Sequence, residues 1–131
     1  MKKTIILCVD DEKIILNSIK TQLKENYGNV FLYETAESAT EALEIIEEMM
    51  GDLNANLIVI SDWLMPVIKG DEFLIKVHNK YPQSLKIMLT GQADLKSIEK
   101  TKKEANLYKC IRKPWMKSEL FSCIDSGILL I

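Results

Sequence analysis

Cysteine is sparse in this chain and does not cluster: Cys8, Cys110 and Cys123 are odd in number, widely spaced and never form a CxxC pair. That spacing offers neither a zinc site nor a disulfide framework, and it predicts reduced thiols in a cytoplasmic protein. Glycine is scarce too. The five residues are scattered, with neither GxGxxG nor GxxxxGKS/T among them, so phosphate-cradling loops of those kinds are excluded. Long apolar runs are missing, since no segment approaches the ~18 residues that a membrane span needs. The first run, Ile5 to Val9, meets "DDE" too soon for a signal peptide. A basic excess is absent as well: the net charge is −2, which argues against a sequence-independent nucleic-acid binder. Lys96, Lys100, Lys102 and Lys103 are interleaved with acids, the pattern of a solvated helix face. The single histidine, His78, has no evident catalytic partner.

Against those gaps stands an ordinary globular composition, 47% apolar and 27% charged over 131 residues, enough for one domain with its own core. "TIILCV" (4–9) is a continuous, β-branched run, as in a strand buried on both faces. Lys13 to Asn26 carries Ile15, Leu16, Ile19 and Leu23 at helical spacing, and Tyr27-Gly28-Asn29 stops it. "VFLYE" (30–34) predicts a second strand. Thr35 to Ser38 offers caps for a helix to about Met50, and "GDLNAN" (51–56) predicts a turn. A third strand is expected over 57–61, a helix over Gly70 to Lys80, and a fourth strand over 85–90. A helix from about Ala93 to Glu104, a fifth strand over 107–111 and a last helix from Met116 onward complete the pattern. Five strands alternating with five helices predict an α/β fold, a parallel sheet joined by right-handed crossovers with helices on both faces. No internal linker divides residues 1–131, so one domain is expected.

In open sheets of this kind, ligands bind beyond the carboxyl ends of the strands, near a topological switch point. Asp10 and Asp11 follow the first strand, Asp62 the third, Thr90-Gly91 the fourth, and Lys113 the fifth. In the doubly wound order 2-1-3-4-5, the first, third and fourth strands are neighbours, and Lys113 reaches in on its long stem. An isolated Asp at a strand end is ordinarily a cap. Acids, a hydroxyl and an ammonium converging from four strand ends are not what capping predicts. Two carboxylates ~4 Å apart repel by roughly 4 kcal/mol at an effective dielectric of 20. Either one holds a proton or a hard divalent cation sits among them, and Mg²⁺ suits carboxylate, carbonyl and phosphate oxygens. A carboxylate beside Mg²⁺ can serve as the nucleophile toward a phosphoryl group, with Lys113 and the Thr90 hydroxyl meeting its equatorial oxygens. Gly91 would leave room for a donor.

"VDDE" (9–12), "DWLMPVIKG" (62–70), "LTG" (89–91) and "KPW" (113–115) resemble the receiver domains of bacterial two-component response regulators, over essentially the whole chain. The resemblance implies a flavodoxin-like fold and a phosphoacceptor module rather than an enzyme acting on a separate substrate. Asp62 would be the phosphoacceptor, and Asp10, Asp11, Asp62 and the Leu64 backbone carbonyl would hold Mg²⁺, with Asp11 the more direct ligand of the first pair. Thr90 would be the switch hydroxyl and Lys113 the phosphate contact, with Pro114 at a position that the family often makes cis. The donor would be a sensor histidine kinase or phosphotransfer protein. The surface made by the fourth helix, fifth strand and fifth helix would serve an output domain or a homodimer, with no direct nucleic-acid or membrane binding. "NLYK" with the Trp after "KP" resembles receivers joined to cyclic-dinucleotide phosphodiesterase or cyclase outputs. The apolar "GILLI" ending fits either a stand-alone regulator or a domain cut from a longer one.

One position departs from the family. Three residues before the lysine, where the family has an aromatic that follows the Thr inward, stands Cys110. Period two would put Tyr108 on the same side as Cys110. Either Tyr108 takes over in part or the Thr–aromatic coupling is weakened, the second being preferred. A dehalogenase-type phosphohydrolase needs a second Asp two residues after the nucleophile; Leu64 stands there, also in place of the commoner polar residue. The alternative function is a pseudo-receiver, a scaffold that binds partners without phosphorylation; Cys110 and Leu64 are the features that favour it.

Overall fold

The computed structural model describes residues 2–53, 55–92 and 94–131. The elements run β1 (Thr4–Val9), α1 (Lys13–Tyr27), a 3-10 turn (Gly28–Val30), β2 (Leu32–Ala36), α2 (Ala39–Leu53) and β3 (Asn56–Ser61). They continue as α3 (Gly70–Lys80), β4 (Leu85–Thr90), α4 (Leu95–Ala105), β5 (Lys109–Arg112) and α5 (Lys117–Ile128). All strand pairs are parallel, and the sheet order is β2-β1-β3-β4-β5. The parallel α/β sheet expected from the alternation and the flavodoxin-like fold that the resemblance implies are both observed.

The three central strands, β1, β3 and β4, are buried on both faces, and their two sets of side chains feed two cores. Ile5, Leu7 and Val9 of β1 join Leu57 and Val59 of β3 beneath α2 and α3, through Ala42, Ile46, Phe73, Leu74 and Val77. Ile6 and Cys8 join Ile58, Ile60, Ile87 and Leu89 beneath α1 and α5, through Leu16, Ile19, Leu23, Leu120 and Ile124. The helical spacings of α1 and α3 thus mark the faces that these helices bury. Among the described residues, no helix is long and apolar enough to cross a membrane.

Several boundaries differ from expectation. β2 spans Leu32–Ala36, not 30–34, because Gly28 at φ 56° opens a 3-10 turn that leaves Val30 exposed. The strand then runs on to Ala36, whose carbonyl accepts from the Asp10 amide. Ser38 accepts from the Glu41 amide at 3.1 Å and starts α2, which continues to Leu53 through the first residues of the expected turn. Asn54, in that turn, lies outside the described residues. So does Ala93, the expected start of α4; that helix begins at Leu95 with Asp94 accepting from Ser97 N at 2.7 Å.

Candidate functional site

Four strand ends meet over the middle of the sheet. β1 and β3 are adjacent, with Val9 opposite Ser61, so Asp10 and Asp62 emerge side by side. Carboxylate oxygens of Asp10, Asp11 and Asp62 all lie within 4.8 Å of one another. Lys113 comes in from β5, its Nζ 2.6 Å from Asp10 Oδ2 and 3.4 Å from Asp62 Oδ2. An open cleft of about 520 Å³ is lined by Asp11, Asp62, Leu64, Thr90, Gly91 and Lys113, among others. Asp10 sits behind this opening, buried, while Asp11 is exposed at its rim.

None of these acids is spent on capping a helix. The N-cap of α1 is Glu12, whose side chain makes no capping bond. Asp10 Oδ1 instead accepts from the Glu12 amide at 2.9 Å, which steadies the carboxylate against Lys113. The helix after Asp62 begins only at Gly70, with Lys69 as its N-cap. Asp62 therefore keeps its oxygens for the cleft. Burial pushes its carboxyl above the usual range; Lys113 opposes that shift and Asp10 reinforces it. Burial works against the Lys113 charge, but the Asp10 hydrogen bond and the two carboxylates outweigh it and raise the ammonium above its usual value.

Thr90 is buried at the end of β4, its Oγ1 accepting from Gln92 N at 3.2 Å. A Cβ at Gly91 would stand 3.7 Å from Lys113 O, ordinary contact distance, so this glycine is not demanded by crowding. The Lys113–Pro114 peptide is cis. Trp115 donates from Nε1 to Gln22 Oε1 at 2.9 Å, tying the segment after β5 to α1. Trp63 packs toward the α2–α3 core, with Lys69 Nζ 5.1 Å from the ring centroid.

Tyr108 and Cys110 do not share a face, which corrects the expectation from period two. Cys110 packs with the α2–α4 layer, the layer that contains Ile98 of α4. Tyr108 packs in the α1–α5 layer and its hydroxyl meets Ser126 Oγ at 2.6 Å. Tyr108 stands just before the first residue of β5, Lys109, and although its amide donates to Lys86 O at 2.8 Å, its ring turns to the α5 side. Gly127 of α5 makes room for the ring, since a Cβ there would stand 3.2 Å from Tyr108 Cε2.

Glu12 and Gln92 also line the cleft, and sequence reasoning assigned them no role. Glu12 was legible as part of the acidic triplet. Gln92 was not, because only the turn after Thr90 returns it to the opening.

The donor set is a fair match to a hard cation. Three carboxylates and one ammonium leave net negative charge, and all the donors are oxygens, which suits Mg²⁺.

The comparisons agree with this geometry. A family model described as "Response regulator receiver domain" matches residues 6–125. The hydrogenase transcriptional regulatory protein HoxA of Cupriavidus necator is 28% identical over 127 residues, 97% of this chain and 24% of the relative's own length. The chain thus spans about a quarter of that relative. The signal receiver domain of an HD domain-containing protein from Pseudomonas fluorescens superposes with a TM-score of 0.85 at 29% identity, covering 98% of this chain and 88% of that one. A response regulator receiver domain protein from Clostridium thermocellum gives 0.81 at 32% identity, with 95% and 94% coverage. With a family match over nearly its full length, this chain belongs to the response regulator receiver domains, the signalling modules of two-component systems.

Proposed function

We propose that Asp62 accepts a phosphoryl group from a phosphohistidine on a sensor histidine kinase or phosphotransfer protein. The observation that carries this reading is the single ammonium of Lys113 held against both Asp10 and Asp62 at the mouth of the cleft. Asp62 Oδ attacks phosphorus, the P–N bond breaks, and the electron pair leaves with the imidazole nitrogen. Lys113 and the Thr90 hydroxyl meet the equatorial phosphoryl oxygens, where transition-state charge accumulates. Mg²⁺ held by Asp10, Asp11, Asp62 and the Leu64 carbonyl would supply charge neutralisation for the incoming phosphoryl group. Hydrolysis of the acyl phosphate returns the carboxylate, so the chain catalyses nothing beyond its own phosphorylation and dephosphorylation.

Residues 1–131 act in this reading as one cytoplasmic receiver unit, alone or within a longer regulator. The response passes to the α4–β5–α5 face, which engages an output domain or partner. Cys110 takes the inward place on β5 while Tyr108 is bound to α5, so the relay from Thr90 works without an aromatic and is weaker. That same arrangement favours a phosphorylation-independent scaffold as the second reading.

Intact-mass measurement after incubation with Mg²⁺ and acetyl phosphate separates the two. One added phosphoryl group on the wild type, none on Asp62→Asn and none after chelation of Mg²⁺ are expected. Absence of a gain in the wild type selects the scaffold, and an equal gain in the mutant moves the acceptor elsewhere.

A further inference from the structure

The charge of this chain is distributed very unevenly. Residues 95–117 hold eight basic residues and two acids, a local balance of +6 in a chain whose total is −2, so the remainder carries −8. Lys96, Lys100, Lys102, Lys103, Lys109, Arg112 and Lys117 are all exposed. Among the described residues, no salt bridge uses any of them, although Glu99 and Glu104 share the α4 surface with four of the lysines. Their charge is therefore available to something outside the molecule. Two large apolar side chains flank the field, Leu95 at 76% exposure and Met116 at 71%.

From this we infer that the α4–β5–α5 face docks an acidic protein segment rather than a second copy of itself. The inference deepens the reading above by giving the chemistry of the partner, and rests on it for treating this face as the output surface. A two-fold dimer through the face would set its cations against their own symmetry mates. The acids that might offset them are few. Of the two on α5, Asp125 accepts from Tyr27 Oη at 2.7 Å on the α1 side, which leaves Glu119. Like-charged juxtaposition rejects a partner, whereas opposite charge draws it in and orients it. Protein fits better than nucleic acid. Acids interrupt the cations, exposed leucine and methionine offer apolar anchors, and the neighbouring aromatics Tyr108 and Trp115 are tied to Ser126 and Gln22 instead of being presented for stacking.

The test uses a fluorescein-labelled peptide of repeated Glu-Glu-Leu, followed by anisotropy with the whole chain and no phosphodonor. Binding that weakens with added salt, and that Lys100→Glu/Lys103→Glu/Lys109→Glu reduces by about tenfold or more, is expected. The control reversal Lys20→Glu/Lys24→Glu on α1 should leave it within about twofold. Sedimentation with Mg²⁺ and beryllofluoride should show no dimer that the same α4–β5 changes dissolve. No peptide binding, binding indifferent to the triple change, tighter binding of labelled duplex DNA or anionic vesicles, or a dimer through this face would each overturn the inference. The triple variant should still gain one phosphoryl group, showing that it is folded. In the wild type, no peptide binding with the phosphoryl gain intact defeats this inference alone, and no phosphoryl gain with peptide binding intact defeats the phosphoacceptor reading alone.

Discussion

Lys86 lies on β4 with no exposed surface, and its Nζ is 2.9 Å from His78 Nδ1 and 3.4 Å from Pro82 O. Both partners are neutral acceptors, provided that the His78 proton sits on Nε2. Burial lowers the Lys86 ammonium to about 8, and burial together with Lys86 lowers His78. A base whose folded value falls below its unfolded one destabilises the fold wherever it is charged in both states. That penalty is complete below about 8 and fades as pH rises toward the ordinary lysine value of 10.5. Lys86→Met should therefore raise stability at pH 7 by roughly 1–3 kcal/mol, a gain that shrinks by pH 10. Urea titrations of the metal-free proteins at both values check it, and a less stable variant at pH 7 would contradict it. The sequence shows this lysine only as one polar letter in an apolar strand, and nothing in spacing reveals that His78 lies beneath it.

At the scale of elements, the segment between β3 and α3 sets the acceptor in place. Val67 has φ 70° and is 96% exposed, and the Ile68 amide donates to Pro66 O at 2.8 Å across it. That is a γ-turn with a β-branched residue at positive φ, a strained combination. Val67→Gly should gain roughly 1 kcal/mol in thermal or urea unfolding. Gly70 has the opposite character: a Cβ there would run into the Asp62 carbonyl oxygen and stand 2.8 Å from Trp63 Cα, and its amide donates to Trp63 O at 2.7 Å. Gly70→Ala should cost roughly 2 kcal/mol or more and slow acceptance of phosphate by shifting the Asp62 backbone. Equal stability and an unchanged rate of mass gain would show that the loop does not hold Asp62. The start of the helix at Gly70 is legible in the sequence; the strain at Val67 is not, because a valine at that position says nothing about φ.

For the whole molecule, the rhythm of apolar runs was enough to read the sheet, since parallel strands buried on both faces write themselves as continuous hydrophobic stretches. The site followed because a doubly wound sheet carries its strand ends to one edge, so that Asp10, Asp62, Thr90 and Lys113, distant in sequence, become neighbours. Alternation misled at Tyr108, just before the first residue of β5, and local β-branching misled at Val30, where a turn takes the backbone first. Charge was read helix by helix as a solvated surface. Only the folded arrangement adds α4 to β5 and the start of α5 as one basic field.

The central claim is that Asp62, among three neighbouring aspartates, is the nucleophile. Acyl phosphates are reduced by borohydride, which converts a phosphorylated aspartate to homoserine and leaves free carboxylates untouched. Protein treated with Mg²⁺ and acetyl phosphate, then with borohydride, and mapped by peptide mass spectrometry should carry homoserine at position 62 with Asp10 and Asp11 intact. Homoserine at position 10 or 11, or at no position, would contradict it.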